Sequence, residues 1–101
     1  MRKTNKSTGG TSFHDTIIGT TVHTLKQLLG EPVCEDNTGM DKVNYEWEME
    51  TSDGDVFTVY DWKEYKSLHE HEIIEFHIGG MSKAITEQAK NEMYEAMNNL
   101  K

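Results

Sequence analysis

At 101 residues the chain has room for one domain, which would bury about 65% of the surface that its unfolded form exposes. Ten Lys and Arg residues against 18 Asp and Glu residues give a net charge of −8, which repels nucleic acids and anionic membranes. We therefore expect neither DNA nor a membrane as a partner. Cys34 is the single cysteine, so an internal disulfide and a cysteine-based zinc site are excluded, as is typical of the reducing cytoplasm.

The first residues, MRKTNKSTGGTS, combine basic side chains with Gly, Ser and Thr and contain no apolar stretch. This composition predicts neither a signal peptide nor a transmembrane helix. We expect residues 1–10 to form a flexible N-terminal arm and residues 11–101 to form a single α+β domain.

A strand and a short helix open the predicted domain. Residues 12–20 are rich in β-branched side chains and predict a strand. Thr21 is a suitable N-cap for the helix that follows, and Gly30 with Pro32 ends it. Between these limits, apolar side chains recur at helical spacing at Val22, Leu25, Leu28 and Leu29.

A β-hairpin is predicted next, with strands over residues 42–50 and 55–62 and a turn at Ser52-Asp53-Gly54. The first strand alternates, so that Val43, Tyr45, Trp47 and Met49 share one face, and Asn44, Glu46, Glu48 and Glu50 the other. The second strand carries apolar side chains on both faces, which is typical of a central or interface strand. One face has Val56, Thr58, Tyr60 and Trp62, and the other has Phe57 and Val59.

Residues 72–78 predict a last strand, and the segment from Ser82 to the C-terminus predicts the longest helix. The helix has an apolar stripe that needs a sheet or another subunit to cover it: Ile85, Ala89, Met93, Ala96, Met97 and Leu100. The predicted fold is therefore α+β. A small antiparallel sheet of three to four strands would carry a short N-terminal helix and a long C-terminal helix.

The sequence offers little support for catalysis or for a metal. His69 and His71 in LHEHE are spaced to face one metal ion, but the spacing indicates no third or fourth ligand, so we interpret them as solvated. Nothing around Cys34 resembles an activating frame for a nucleophile. The carboxylates of the first hairpin strand look like a solvated face. We expect a protein that is not an enzyme and holds no metal and no cofactor.

Two features suggest ligand binding, each with a purely structural alternative. Aromatic side chains on the two hairpin strands form either a core cluster or a wall on which a base stacks. The segment Gly79-Gly80-Met81-Ser82 lies between a predicted strand and the long helix. It is either a tight corner or an anion site built from backbone amides at a helix N-terminus, with Lys83 adding a cation.

Several short motifs occur together between residues 11 and 90: Thr-Ser at 11–12, Gly-Glu-Pro at 30–32, Trp47, Tyr-Asp at 60–61 and His-Ile-Gly-Gly-x-Ser at 77–82. As a set they resemble a group of small proteins encoded by tailed bacteriophages. The resemblance implies an accessory protein that counters bacterial defence in the cytoplasm of the host cell. Such a protein would either sequester a nucleotide-derived immune signal or block a defence protein directly.

The leading hypothesis is a non-enzymatic sponge for a cyclic nucleotide or ADP-ribose type of signal. Amides of residues 79–82 and the hydroxyls of Thr11 and Ser12 would hold phosphate or ribose, His77 would donate a hydrogen bond, and an aromatic ring would stack on the base. A homo-oligomer would help to enclose the ligand. The predicted ligand-binding residues are Thr11, Ser12, Trp47, Tyr60, Trp62, His77, Gly79, Gly80 and Ser82.

The alternative hypothesis belongs to a different class of protein. The row Glu46, Glu48 and Glu50, continued by Asp53 and Asp55, is a negative surface that would mimic nucleic acid and occupy a basic groove on a host defence protein. Charge reversal along the row would abolish this inhibitor and spare a sponge. A virion or assembly protein is a third possibility that the sequence does not address.

Overall fold

The structure is a computed structural model that describes residues 1–100, so that Lys101, the last residue of the predicted domain, lies outside the described residues. It confirms the α+β class, with two helices and an antiparallel sheet. The elements in chain order are β1 (Arg2–Lys3), β2 (Ser12–Thr20), α1 (Val22–Leu29), β3 (Cys34–Glu35), β4 (Tyr45–Glu50), β5 (Val56–Tyr60), β6 (Ile74–Gly80) and α2 (Lys83–Asn99). Within the described residues, neither helix has the length and apolar character needed to cross a bilayer.

The sheet has six strands rather than the predicted three to four, and its main path runs β1-β4-β5-β6-β2, with β3 also paired to β4. The two extra strands, β1 and β3, have two residues each. Alternation cannot be recognised over two residues, so the sequence pattern gives no signal for either of them. The longer strands β4, β5 and β6 confirm the predicted hairpin and last strand, with shifted ends.

Both helices begin at the predicted caps. The Thr21 hydroxyl accepts a hydrogen bond from the Thr24 amide at 3.0 Å, and the Ser82 hydroxyl accepts one from the Ile85 amide at 3.3 Å. Gly30 ends α1 with φ of 82°, a conformation that favours glycine. The polar residues at these positions therefore have a structural role that is sufficient to explain their presence.

The core lies between one face of the sheet and the two helices. Its largest fully buried side chains come from every long element and include Trp47, Phe57, Phe76, Leu25 and Met93. On α2, Ala89 and Met93 are completely buried and Met97 packs against the core, whereas Leu100 is 51% exposed. The sheet and α1 of the same chain thus cover the middle of the predicted apolar stripe.

The N-terminal residues lie against the edge of the sheet, where the prediction had a flexible arm. Arg2 and Lys3 pair with Glu50 and Met49 of β4. The Arg2 guanidinium forms an ion pair with Glu50, and the Thr4 hydroxyl donates to the same carboxylate at 2.7 Å. The composition of this segment, on which the prediction depends, gives no indication of the partners that the carboxylates of β4 provide.

Candidate ligand-binding site

A cavity of about 260 Å³ opens on the face of the sheet that points away from the helices. It brings together five of the nine predicted ligand-binding residues, although they come from three strands and the segments beside them. The lining residues are Thr8, Thr11, Ser12, Val43, Glu46, Thr58, Tyr60, Trp62 and Gly79. The cavity is therefore the point where the predicted residues converge.

Strand pairing explains this convergence. In the β2–β6 pair, Ser12 lies opposite Gly80 and Phe13 lies opposite Gly79. On the other side of β6, Gly79 lies opposite Thr58 of β5. The Thr-Ser pair near the start of the chain is thus folded onto the Gly-Gly pair almost 70 residues later, with β5 completing the wall.

The two glycines belong to strand β6, whereas the sequence pattern placed them in a loop after it. Neither has a positive φ, so conformational freedom is not why glycine is present. A Cβ atom on Gly79 would lie 2.6 Å from the Thr58 hydroxyl oxygen, and one on Gly80 would lie 3.0 Å from a methyl of Thr86. Glycine is needed because both faces of the strand are crowded at this end.

His77 lies beside the cavity in a group of aromatic rings. Its imidazole stacks on Phe13, with ring centroids 4.0 Å apart and planes 16° apart, and its centroid is 5.5 Å from that of Tyr60. Burial lowers the pKa of His77 below its ordinary value, against an opposing influence of Glu75. A neutral imidazole has one donor nitrogen and one acceptor nitrogen, so the His77 ring can form a hydrogen bond with a polar ligand of either kind.

Trp62 forms an accessible wall of the cavity. The side chain is 40% exposed, and the ammonium groups of Lys42 and Lys63 lie 5.9 and 5.6 Å from its ring centroid. These are cation–π distances, and they place two positive charges next to an otherwise acidic cavity. Trp62 therefore offers a flat surface with cations beside it.

Glu46 is the charged residue of the cavity. Burial raises the pKa of its carboxyl group, and a hydrogen bond and repulsion from Glu48 raise this pKa further. Burial and the neighbouring Glu46 carboxylate also raise the pKa of Tyr60. Of the described residues that line the cavity, none is cationic. The cavity itself is thus suited to hydroxyl or amine donors, and a phosphate would have to lie outside it.

Three predicted ligand-binding residues lie away from the cavity. Trp47 is 1% exposed, its ring packs edge-on against Phe76, and its indole N–H donates to the Gly30 carbonyl at 2.9 Å. Gly80 faces α2, and Ser82 caps that helix. Because Glu46 pairs with Tyr60 and Trp47 pairs with Val59, Trp47 lies on the face of the sheet opposite Tyr60 and Trp62. Of the four aromatic residues of the hairpin, Tyr45 and Trp47 thus belong to the core, and Tyr60 and Trp62 line the cavity on the other face.

The sequence interpretation did not include four lining residues: Thr8, Val43, Glu46 and Thr58. A signal for two of them was available, because Thr58 shares a strand face with Tyr60, and Glu46 lies opposite Tyr60 once the hairpin is placed in register. Thr8 is brought in by the N-terminal segment, whose path no local pattern indicates.

Comparison with known proteins gives no further assignment. No protein-family model, curated protein or solved structure matches the chain. The function is therefore argued from the cavity and its surroundings.

Proposed function

We propose that this protein is a non-catalytic binding protein that sequesters a nucleotide-derived immune signal, of the cyclic-nucleotide or ADP-ribose type, in the cytoplasm of a phage-infected bacterium. The observation that carries the proposal is the combination, in one cavity, of a carboxylate, several hydroxyls and a partly exposed indole. Ribose hydroxyls donate to carboxylates, and bases stack on aromatic rings. Each part of a nucleoside thus has a matching group.

In the proposed complex the base stacks on Trp62 and a ribose hydroxyl donates to Glu46. The hydroxyls of Ser12 and Thr58 supply further polar contacts. The phosphates extend toward Lys42 and Lys63, whose ammonium groups lie beside Trp62. The proposed complex therefore places the phosphates near these two lysines and not at the amides of residues 79–82. Gly79 and Gly80 lie in a strand that is paired with β2 on one side and with β5 on the other.

The size of the cavity supports a partial enclosure of the ligand. Sites for small molecules usually have volumes of about 300–1,000 Å³, and this cavity has about 260 Å³. The cavity therefore has room for the base and ribose of a nucleotide but not for its phosphates, which remain outside. We propose that a second copy of the chain covers the exposed part, so that the sponge acts as a homo-oligomer.

The surroundings of Ser12 support binding without catalysis. His14 Nε2 lies 3.3 Å from the Ser12 hydroxyl and 3.1 Å from the Gly80 carbonyl oxygen. A carbonyl oxygen only accepts, so Nε2 carries the proton in this contact and is not free to act as a base toward Ser12. His14 therefore does not activate the serine hydroxyl as a nucleophile.

Thermal unfolding with a panel of cyclic dinucleotides, cyclic mononucleotides and ADP-ribose derivatives tests the proposal. At least one of them should raise the melting temperature. Trp62→Ala should weaken its binding by about 1–3 kcal/mol, the usual contribution of one stacked base. Tyr94→Ala is the matched control, because Tyr94 is an aromatic residue of similar exposure on α2. No shift with any member of the panel, or equal losses in the two variants, would contradict the sponge.

Direct inhibition of a host defence protein is the second candidate, and the excess of 18 acidic over 10 basic residues favours it. The acidic row is shorter than the sequence suggests, because Glu50 is ion-paired with Arg2 and Glu46 faces the cavity. Reversal of Asp53 and Asp55 to Lys tests two of the three remaining charges. It should abolish binding of an inhibitor to its target and leave nucleotide binding unchanged.

A further inference from the structure

A cluster of possible metal ligands lies outside the cavity, where α1 meets the connection between β5 and β6. It consists of His23 in the first turn of α1 and of Glu70 and His71 in the connection. One ligand atom from each residue lies within 4.8 Å of those of the other two, and all three residues are exposed. The sequence pattern identified only the pair His69 and His71, because His23 is nearly 50 residues away.

The backbone holds the two segments together. The His23 amide donates to the Glu70 carbonyl at 2.9 Å, and the rings of His23 and His71 have centroids 4.7 Å apart. Before the cluster, Leu68 is buried, and its amide and carbonyl both bond to the Asn37 side chain, at 2.6 and 2.9 Å. The three side chains therefore project from backbone that is fixed on both sides.

We propose that His23, Glu70 and His71 bind a divalent transition-metal ion, with Zn²⁺ as the representative ion. Two imidazoles and one carboxylate form a common zinc ligand set, which water completes. Ligand atoms bound to tetrahedral zinc are about 3.3 Å apart, given bonds of about 2.0–2.1 Å. The ligand atoms of the three residues, now within 4.8 Å of one another, reach this shorter separation when the exposed side chains rotate, and the backbone need not move.

Neighbouring groups are compatible with the ion. Lys26 Nζ lies 3.6 Å from one carboxylate oxygen of Glu70 and 3.5 Å from Glu35. A carboxylate has two oxygens, so Glu70 can keep its contact with Lys26 through one and bind the ion through the other. His69 has a separate role, since its Nδ1 accepts the amide hydrogen of His71 at 3.1 Å. The bound ion would connect α1 to the β5–β6 connection.

Isothermal titration of the full chain with Zn²⁺, alongside thermal unfolding in the same buffer, tests the site. We expect one equivalent to bind and the melting temperature to rise. His23→Ala, His71→Ala and Glu70→Gln should each weaken binding on the order of tenfold or more. His14→Gln is the matched control, because it removes a histidine from β2, and it should leave zinc binding unchanged.

Two outcomes would overturn the proposal. One is the absence of both heat and thermal stabilisation at sub-millimolar Zn²⁺. The other is an equal loss of affinity in His14→Gln and His71→Ala, which would indicate scattered binding by surface histidines. Circular dichroism of each variant shows whether it is folded, and because all three ligands are exposed, a loss of binding in a folded variant reports on the site.

Discussion

Asp61 shows how one buried carboxylate fixes the end of a strand. Its side chain is fully buried and accepts hydrogen bonds from the amides of Asn44 and Tyr45, with a shortest distance of 2.8 Å, and from the Asn44 side chain at 3.0 Å. These bonds join the start of β4 to the end of β5. The position belongs to the Tyr-Asp motif, which the structure explains through the backbone amides rather than through a ligand.

Replacement of Asp61 by Ala should destabilise the protein by about 3 kcal/mol, because several buried donors would lose their acceptor. Asp61→Asn keeps one acceptor oxygen and should cost about half as much. Urea unfolding measures both values. Asp41→Ala, at an exposed residue, is the control and should change stability by less than about 0.5 kcal/mol. Equal stability of all three variants would show that the buried amides find other acceptors.

Gly79 gives a second prediction at the residue scale. Gly79→Ala should cost about 1–3 kcal/mol, because the new methyl group would press on the Thr58 hydroxyl. In a Thr58→Ala background the hydroxyl is gone, and the cost should fall by about 1 kcal/mol or more. A double-mutant cycle by urea unfolding measures this difference. The same cost in both backgrounds would mean that crowding by Thr58 is not why glycine is required.

At the scale of elements, patterns that extend over five or more residues predict the correct element type, although the ends of β4, β5 and β6 differ from the predicted ones. The predicted strand at residues 12–20 matches β2, and α1 and α2 begin at their predicted caps. The sequence pattern misses the short strands β1 and β3, because two residues show no alternation and only the pairing with β4 identifies them. For the same reason, alternation placed Trp47 and Tyr60 on defined faces of their own strands, but only the register of the hairpin shows that these faces are opposite.

The pairing of β1 with β4 leads to a prediction on pH. A hydrogen bond from Thr4, assisted by the charges of Arg2 and Lys6, lowers the pKa of Glu50 below its ordinary value. A carboxyl group with a lowered pKa in the folded state stabilises the protein above its unfolded pKa, and this contribution is lost as the pH falls through the folded pKa. The contribution is therefore present at pH 7 and absent in strong acid.

The double variant Arg2→Gln/Lys6→Gln should therefore have a lower melting temperature than the parent at pH 7 and nearly the same one in strong acid, where Glu50 is protonated in both proteins. Thermal unfolding across the acid range measures the difference. Lys3→Gln is the control, since the Lys3 ammonium donates to the Glu31 carbonyl rather than to Glu50. A difference that does not change with pH would show that these cations act through packing.

At the scale of the whole molecule, the sheet has different surroundings on its two faces. One face packs against both helices and holds the core, and the other carries the cavity and the carboxylates of β4. The sequence pattern indicated two apolar faces on β5 but not which one is solvent-facing, because either face of a central strand can meet a helix. The sequence therefore predicts five of the residues that line the cavity, but it does not predict that they lie together, because this depends on the order of the strands in the sheet.

The net charge of −8 should make the stability of the molecule depend on salt. Like charges repel in the compact state, and salt screens this repulsion, so we expect sodium chloride to raise the melting temperature between low and moderate ionic strength. Glu87→Lys/Glu95→Lys brings the net charge to −4, since each reversal adds two positive units. Because self-repulsion scales with the square of the net charge, the double variant should show only about a quarter of the effect. A melting temperature that falls with salt would instead show that local ion pairs dominate.

The opposite placement of the two tryptophans gives the protein two separate optical reporters. Trp47 is enclosed in the core at 1% exposure, and Trp62 lies in the cavity wall at 40% exposure. Indole fluorescence shifts to longer wavelength in water, so the emission of Trp47 reports on unfolding, whereas that of Trp62 responds to whatever enters the cavity. Occupancy of the cavity and integrity of the core can thus be followed in one sample, without a label.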